Sequence, residues 1–214
     1  KTLTSVFGQQ SLGDLRQQRG KLVLIPTFDL DAIKNGERNW KPKFFHNFSG
    51  EEPVNNELVV DVILRSTAAP IYFPTYQGYI DGGVVAGNPA MAAVAQALDG
   101  RNDHPQSLTD LRLLSLGTGR TTRFIAGDKD WGLVQWARPL ISLILEGTSG
   151  VADFQCRQLL SAEQYHRLAP VLPRPIALDA VDEIETLVDL AETAVLADSD
   201  GVETIDWLAD QFVG

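Results

Sequence analysis

Cysteine is nearly absent from this 214-residue chain, where Cys156 stands alone. One thiol excludes an internal disulfide framework and is too few for a zinc cage. The three histidines, His46, His104 and His166, lie far apart and show no metal-ligand spacing, so neither a metal nor a cofactor is expected. No uninterrupted apolar stretch approaches the roughly 18 residues of a membrane-crossing helix, so no transmembrane span is expected. Basic residues are scarce, 18 Lys and Arg against 28 Asp and Glu, for a net charge of −10. Eleven of the acidic residues lie between Asp179 and Asp210, where there is no Lys or Arg, which leaves 17 acidic groups against 18 basic ones elsewhere. Such a chain is a poor partner for nucleic acid, whose phosphates are held by Lys and Arg. Anionic lipid would repel it, so any membrane contact must be apolar.

With 44% apolar and 21% charged residues the composition is that of a globular protein rather than a disordered one. The length fits a single domain over residues 1–214, ending in an acidic helical segment over 179–214. The first residue is Lys1 rather than Met, so a leader cannot be read. The compartment stays open, leaning to the cytoplasm because one cysteine is compatible with a reducing environment.

Short apolar runs alternate with helical stretches, the mark of an α/β layered fold. Lys21–Phe28 reads as a buried strand, and Pro42–Phe48 as a second one after the loop Asn35-Gly36-Glu37-Arg38. Asn55 or Asn56 is placed to cap a helix over Glu57–Ser66, with Leu58, Val62 and Arg65 at helical spacing. Gly78–Asp81 reads as a very short strand. Asn88 as cap and Pro89 as first helical residue open an alanine-rich helix to Leu98. Leu111–Leu116 is a further strand, ending in Gly117-Thr118-Gly119. Leu133, Trp136, Leu140, Ile141 and Ile144 form a helical stripe in which Pro139 starts or kinks a helix. Gly147-Thr148-Ser149-Gly150 reads as a helix end and cap before a helix over Val151–Leu160. Tyr165–Leu168 is a short strand, and Asp182–Leu196 and Val202–Phe212 are acidic amphipathic helices.

The densest cluster of unusual residues runs from Ser66 to Pro89. Ser66-Thr67-Ala68-Ala69-Pro70 is followed by Tyr72-Phe73-Pro74, Tyr79-Ile80-Asp81-Gly82-Gly83 and Gly87-Asn88-Pro89. Asp81 sits at a strand end, where open α/β sheets bind ligands. Gly82 and Gly83 permit a positive φ and close backbone approach. Surroundings rich in Ala, Tyr and Phe raise a carboxylate's pKa by desolvation, which suits a general base. Asp-Gly-Gly is equally a common turn, in which Asp81 does no more than bond local amides.

Taken together, these segments resemble the patatin-like phospholipase family, with its Ser-Ala-Ala-Pro, Tyr-Phe-Pro, Asp-Gly-Gly and Asn-Pro motifs in this order. Lys21–Asp31 with Trp40-Lys41-Pro42-Lys43-Phe44-Phe45-His46-Asn47, and Leu114-Ser115-Leu116-Gly117-Thr118-Gly119, extend the likeness to about Pro170. The resemblance implies a three-layer α/β/α fold and hydrolysis of lipid or other acyl esters by a serine–aspartate dyad. It assigns the general base to Asp81, with Gly82 and Gly83 as backbone support of its turn. No histidine is needed in such a dyad, and His166 is expected to be structural.

The family's nucleophile lies in a Gly-x-Ser-x-Gly elbow, and no serine of this chain has glycine at both second neighbours. Ser149 has Gly147 before it but Val151 after it, and Ser66 belongs to a family segment that does not supply the nucleophile. The expectation is therefore a C-terminal portion of a patatin-like catalytic domain, incomplete at its N-terminal side. On this reading the chain is inactive alone, and a companion chain or a missing segment carries the serine. The alternative is a non-catalytic truncated homologue acting as a lipid- or protein-binding module.

Three lesser features carry expectations. Trp40, Phe44, Phe45 and Phe48 read as strand packing, with a lipid-facing role as the alternative. Gly117-Thr118-Gly119-Arg120 lacks the Gly-Lys-Ser/Thr of a nucleotide loop. Cys156 is expected to be a buried, small apolar residue.

Overall fold

The computed structural model describes residues 2–50, 54–121, 130–136, 139–196 and 198–212. They form a mixed helix and strand protein, the α/β class expected, and divide into two compact units, one of residues 1–107 and 138–152, the other of residues 108–137 and 153–214.

The first unit opens with two helices, α1 (Thr2–Phe7) and α2 (Leu12–Arg19). Helix α2 is fixed at both ends. Ser11 Oγ accepts from the Asp14 N–H at 3.1 Å while Asp14 accepts from the Ser11 N–H at 2.8 Å. This reciprocal pairing satisfies two donors that a helix start leaves open. Gly20 then closes the helix in the left-handed conformation, φ 61°, as C-terminal glycines do.

A hairpin follows, β1 (Leu24–Lys34) and β2 (Glu37–His46), paired antiparallel from Leu24 against His46 to Lys34 against Glu37. Asn35 and Gly36 turn it with positive φ at both positions, 54° and 82°, the two-residue geometry that matches strand twist. Helix α3 (Val59–Ser66) leads to β3 (Tyr79–Asp81), which pairs antiparallel with Thr27–Asp29, giving the order β2-β1-β3. The helices α4 (Gly83–Ala86) and α5 (Ala90–Leu98) follow. Side chains alternate across a strand. One sheet face therefore sends Phe45, Ile25 and Tyr79 into a core with Leu12, Val59 and Val62 from α2 and α3. The other face, with Leu24, Phe44 and His46, lines a cavity of about 730 Å³ together with Ala92 and Ala95 of α5.

Asn47 ties this unit together. Fully buried, it donates to the carbonyls of Leu12 and Lys21 at 2.8 and 3.0 Å, and accepts from the Val23 N–H at 2.8 Å. These bonds hold α2 and the approach to β1 against the end of β2, each worth about 0.5–1.5 kcal/mol net. Arg65, on the inner side of α3, is 5.0 Å from the rings of both Phe45 and Tyr79 and bonds Glu57 at 2.7 Å.

The second unit holds β4 (Leu113–Leu116), the short α6 (Leu133–Trp136) and the later part of α7 (Pro139–Leu159), whose residues through Ala152 belong to the first unit. Strand β5 (Tyr165–Leu168) pairs with β4 in parallel. Helices α8 (Ile184–Leu196) and α9 (Ser199–Phe212) complete it. His166 packs within this unit. Its ring stacks on Trp207, and Nε2 lies 2.8 Å from Thr204 Oγ1. The Thr204 hydroxyl proton goes to the Asp200 carbonyl at 2.6 Å, so the imidazole N–H is the donor to it. Tyr165 donates to Asp153 at 2.7 Å, and burial first, then this bond, pushes its phenol up to about 12. Cys156 is fully buried on α7, as expected.

Several local expectations are corrected. The strand read over Lys21–Phe28 starts at Leu24 and is antiparallel on both sides. Helix α3 is not capped by Asn55 or Asn56. Its cap position is Leu58, without a side-chain bond, because Asn55 and Glu57 instead give their carbonyls to Gly13 and Leu12. Gly147–Gly150 is no helix end, since α7 runs through it unbroken. Helical glycines cost about 1 kcal/mol each, and Thr148 between them makes offsetting bonds described below. Pro139 starts α7. Of the four aromatics, Phe45 packs in the core as expected, while Trp40 is 73% exposed.

Candidate active site

Asp81 ends β3 opposite the buried Thr27 of β1. Three hydrogen bonds fix its position. The Asp81 N–H donates to the Ala68 carbonyl and the Gly82 N–H to the Ser66 carbonyl, both at 3.1 Å. Ser66 Oγ donates to the Pro26 carbonyl at 2.7 Å. The Ser66–Ala69 segment is thus the strap that holds the Asp81 turn to β1.

Gly82 is required by proximity, and Gly83 is closely packed. A Cβ on Gly82 would drive into the Pro26 carbonyl, and one on Gly83 would meet Leu145 Cδ2 at 2.6 Å. Gly82 itself has φ −67° and ψ −20°, and neither it nor Gly83 adopts positive φ. The expectation of close approach holds, and that of a positive φ is corrected. Gly87 continues the pattern, its α-carbon facing the Leu145 carbonyl so closely that a Cβ would lie 2.5 Å from it. Thr148 of α7 clamps the segment, accepting from the Gly87 N–H at 3.1 Å. Its hydroxyl lies 3.2 Å from the Gly83 carbonyl and 3.1 Å from that of Leu145.

The Asp81 carboxyl is half-buried. Desolvation raises its pKa, opposed in part by the Gly83 N–H, which donates to Oδ1 at 2.5 Å. The local amide bond of a turn is therefore present. Among the described residues it is the carboxyl's hydrogen bond, and Oδ2 has none. A carboxylate with one oxygen anchored, the other open and its proton affinity raised can accept a proton from a group brought to it. Ser66 is not that group, because its hydroxyl is committed to Pro26. Asn88 is buried and accepts from the Ala90 N–H at 3.1 Å, capping α5 from one position earlier than its Pro89 boundary.

The glycine turn after β4 is spent on its own unit. The N–H groups of Gly117 and Arg120 donate to the carbonyls of Leu168 and Pro170, both at 2.9 Å. Gly119, at φ 100°, packs against Leu172. Amides engaged in this way do not form a phosphate cradle.

A carboxylate held at a strand end of a layered α/β unit by close-packed glycines defines an α/β protein with its candidate site at that strand end. Residues 1–94, which include Ser66 to Gly83, match the family model of patatin-like phospholipases. The protein called "Putative sporulation hydrolase CotR" of Bacillus subtilis is 33% identical over 201 residues, covering 79% of this chain and 61% of that protein. Protein teg of Priestia megaterium is 34% identical over 179 residues, 72% of this chain and 54% of its own. Patatin-like protein 2 of Arabidopsis thaliana is 28% identical over 222 residues, 85% and 52%. The chain belongs to the patatin-like phospholipase family. It spans roughly half to three-fifths of the length of these relatives.

Proposed function

We propose that this chain is the aspartate-bearing part of a lipid acyl hydrolase of phospholipase A or esterase type. Its serine nucleophile lies in an N-terminal segment outside these residues, either in the same polypeptide or in a companion chain. The observation that carries the reading is the Asp81 carboxyl, with one oxygen anchored by Gly83, the other open, and its pKa raised by burial.

In this reaction Asp81 Oδ2 takes the proton of the serine hydroxyl as the oxygen attacks the ester carbonyl. The tetrahedral oxyanion collapses, the leaving alcohol regains the proton, and an acyl-serine remains. Water, deprotonated by Asp81 in turn, releases the fatty acid. An aspartate near its reference pKa of ~3.9 is a weak base for a hydroxyl, so a raised pKa narrows the gap and proton transfer must be concerted with attack. Stabilisation of the oxyanion falls to donors in the same absent segment. Gly82 lets the strand end press against the Pro26 carbonyl, which holds Asp81 in place for the serine.

The test compares p-nitrophenyl ester turnover by this chain with that of a polypeptide extended N-terminally to the length of its relatives. The extended form hydrolyses the ester and the 214-residue chain does not. Asp81→Asn in the extended form lowers kcat by about 10²–10⁴-fold, the usual worth of a general base. Turnover by the chain alone, or full activity of the variant, overturns the reading.

A further inference from the structure

The acidic C-terminal helices carry a surface that the hydrolase reading does not use. On α8, Leu187 and Leu190 are half-buried while Ile184 and Val188 are 57% and 51% exposed, and Val181, in the 3-10 turn Val181–Glu183 that leads into α8, is 75% exposed. Positions 181, 184, 188 and 191 follow the three- and four-residue spacing that stacks side chains on one helix face, and Ala191 continues the exposed row. Going round the helix from that row, the next positions are Glu185, Glu192 and Asp189, all exposed. Helix α9 repeats the arrangement. Gly201, Thr204 and Trp207 are buried, Val202, Ile205 and Ala209 are exposed beside them, and Asp206, Asp210 and Glu203 come next round. No Lys or Arg occurs after Arg174, and Arg174 itself is paired with Glu183 at 2.7 Å.

An exposed apolar row about three turns long, bordered by uncompensated carboxylates, selects its occupant by charge. A second copy would bring carboxylates against carboxylates, and an anionic bilayer would be repelled. We propose that the α8 row docks a basic amphipathic helix of a partner protein. Its apolar side covers Val181, Ile184 and Val188, and its Lys or Arg side chains meet Glu185, Asp189 and Glu192. The row is about 15 Å long, which suits a partner segment of three to four turns and a reversible contact.

A fluorescent Lys/Leu amphipathic peptide of about 15 residues, titrated into the 214-residue chain and read by anisotropy, tests this. A Glu/Leu peptide of the same pattern serves as control. Binding of the Lys/Leu peptide is expected, with none of the Glu/Leu peptide. Affinity falls about tenfold in Ile184→Ser/Val188→Ser, which leaves the charge unchanged. It falls by a similar factor in Glu185→Lys/Glu192→Lys, and is unchanged in Asp110→Lys, an exposed position outside α8 and α9. Matching thermal melts establish that the variants fold. Equal binding of both peptides, a loss in Asp110→Lys as large as in the row variants, or no loss in Ile184→Ser/Val188→Ser overturns the proposal. So does a dimer in sedimentation that Val188→Lys breaks, or uptake by phosphatidylcholine vesicles that Val188→Lys abolishes.

Discussion

Around Asp81 the chain is fixed by backbone pressed on backbone, and in α8 and α9 by a periodic row of side chains. Gly82 lies against the Pro26 carbonyl and Gly87 against that of Leu145, with Ser66, Ala68 and Thr148 supplying the bonds between them. In the acidic helices Thr204 and Trp207 face inward and Val202 and Ile205 face out, and the chain between could accept many sequences with the same rhythm. The first region tolerates almost no added atom and holds a strained electrostatic position, a half-buried carboxyl. The second tolerates change and presents charge to solvent. Such a contrast is what the proposed roles of the two regions, a catalytic frame and a docking face, would require.

The sharpest way to break the contrast is Gly82→Ala. With no room beside the Pro26 carbonyl, β1 and β3 must move apart, and a loss of about 3 kcal/mol or more in urea unfolding is expected. A loss as small as that of a surface change would mean that the strap is loose.

Asp81→Asn comes next, and its effect has a sign. Because burial raises the folded pKa above the unfolded value, the ionised carboxylate weakens the fold. Stability contributed by its protonated form is present at low pH and lost as pH rises from the unfolded pKa through the higher folded one. The variant is therefore expected to equal or exceed the parent in stability at neutral pH, with the difference vanishing towards about pH 4. Gain in stability together with loss of turnover in the extended form marks a group kept for function. A variant less stable than the parent at pH 7 would make Asp81 a structural turn residue.

The smallest effect belongs to Ile184→Ser on α8. Being exposed, it should change unfolding by less than about 0.5 kcal/mol, whereas a larger loss would show that the row already packs against the chain's own residues.

The parts legible in the sequence were those with a local cause. Tyr165–Leu168 was readable as a strand and Asn88-Pro89 as a helix start from their own residues. The Ser66–Asn88 cluster was readable because its motifs keep a family order. Long-range causes were not legible. Leu58 replaces the asparagines at the start of α3 because Asn55 and Glu57 are engaged by α2. The helix through Gly147–Gly150 survives two glycines because Thr148 is held by Gly83 and Gly87, some sixty residues away. Helix α2 is not among the elements expected from the sequence, although Ser11, Asp14 and Gly20 spell its two caps. The three-bond role of Asn47 has no sequence signal, since its partners come from two segments more than twenty residues before it.

Covalent labelling tests most directly whether Asp81 serves a serine that these 214 residues do not contain. A fluorophosphonate is reacted with the N-terminally extended polypeptide and the adduct is mapped by peptide mass spectrometry. The account predicts a single phosphonylated serine upstream of Lys1, labelled far more slowly in Asp81→Asn. A label on any serine between Ser5 and Ser199, or labelling indifferent to Asp81, would contradict it.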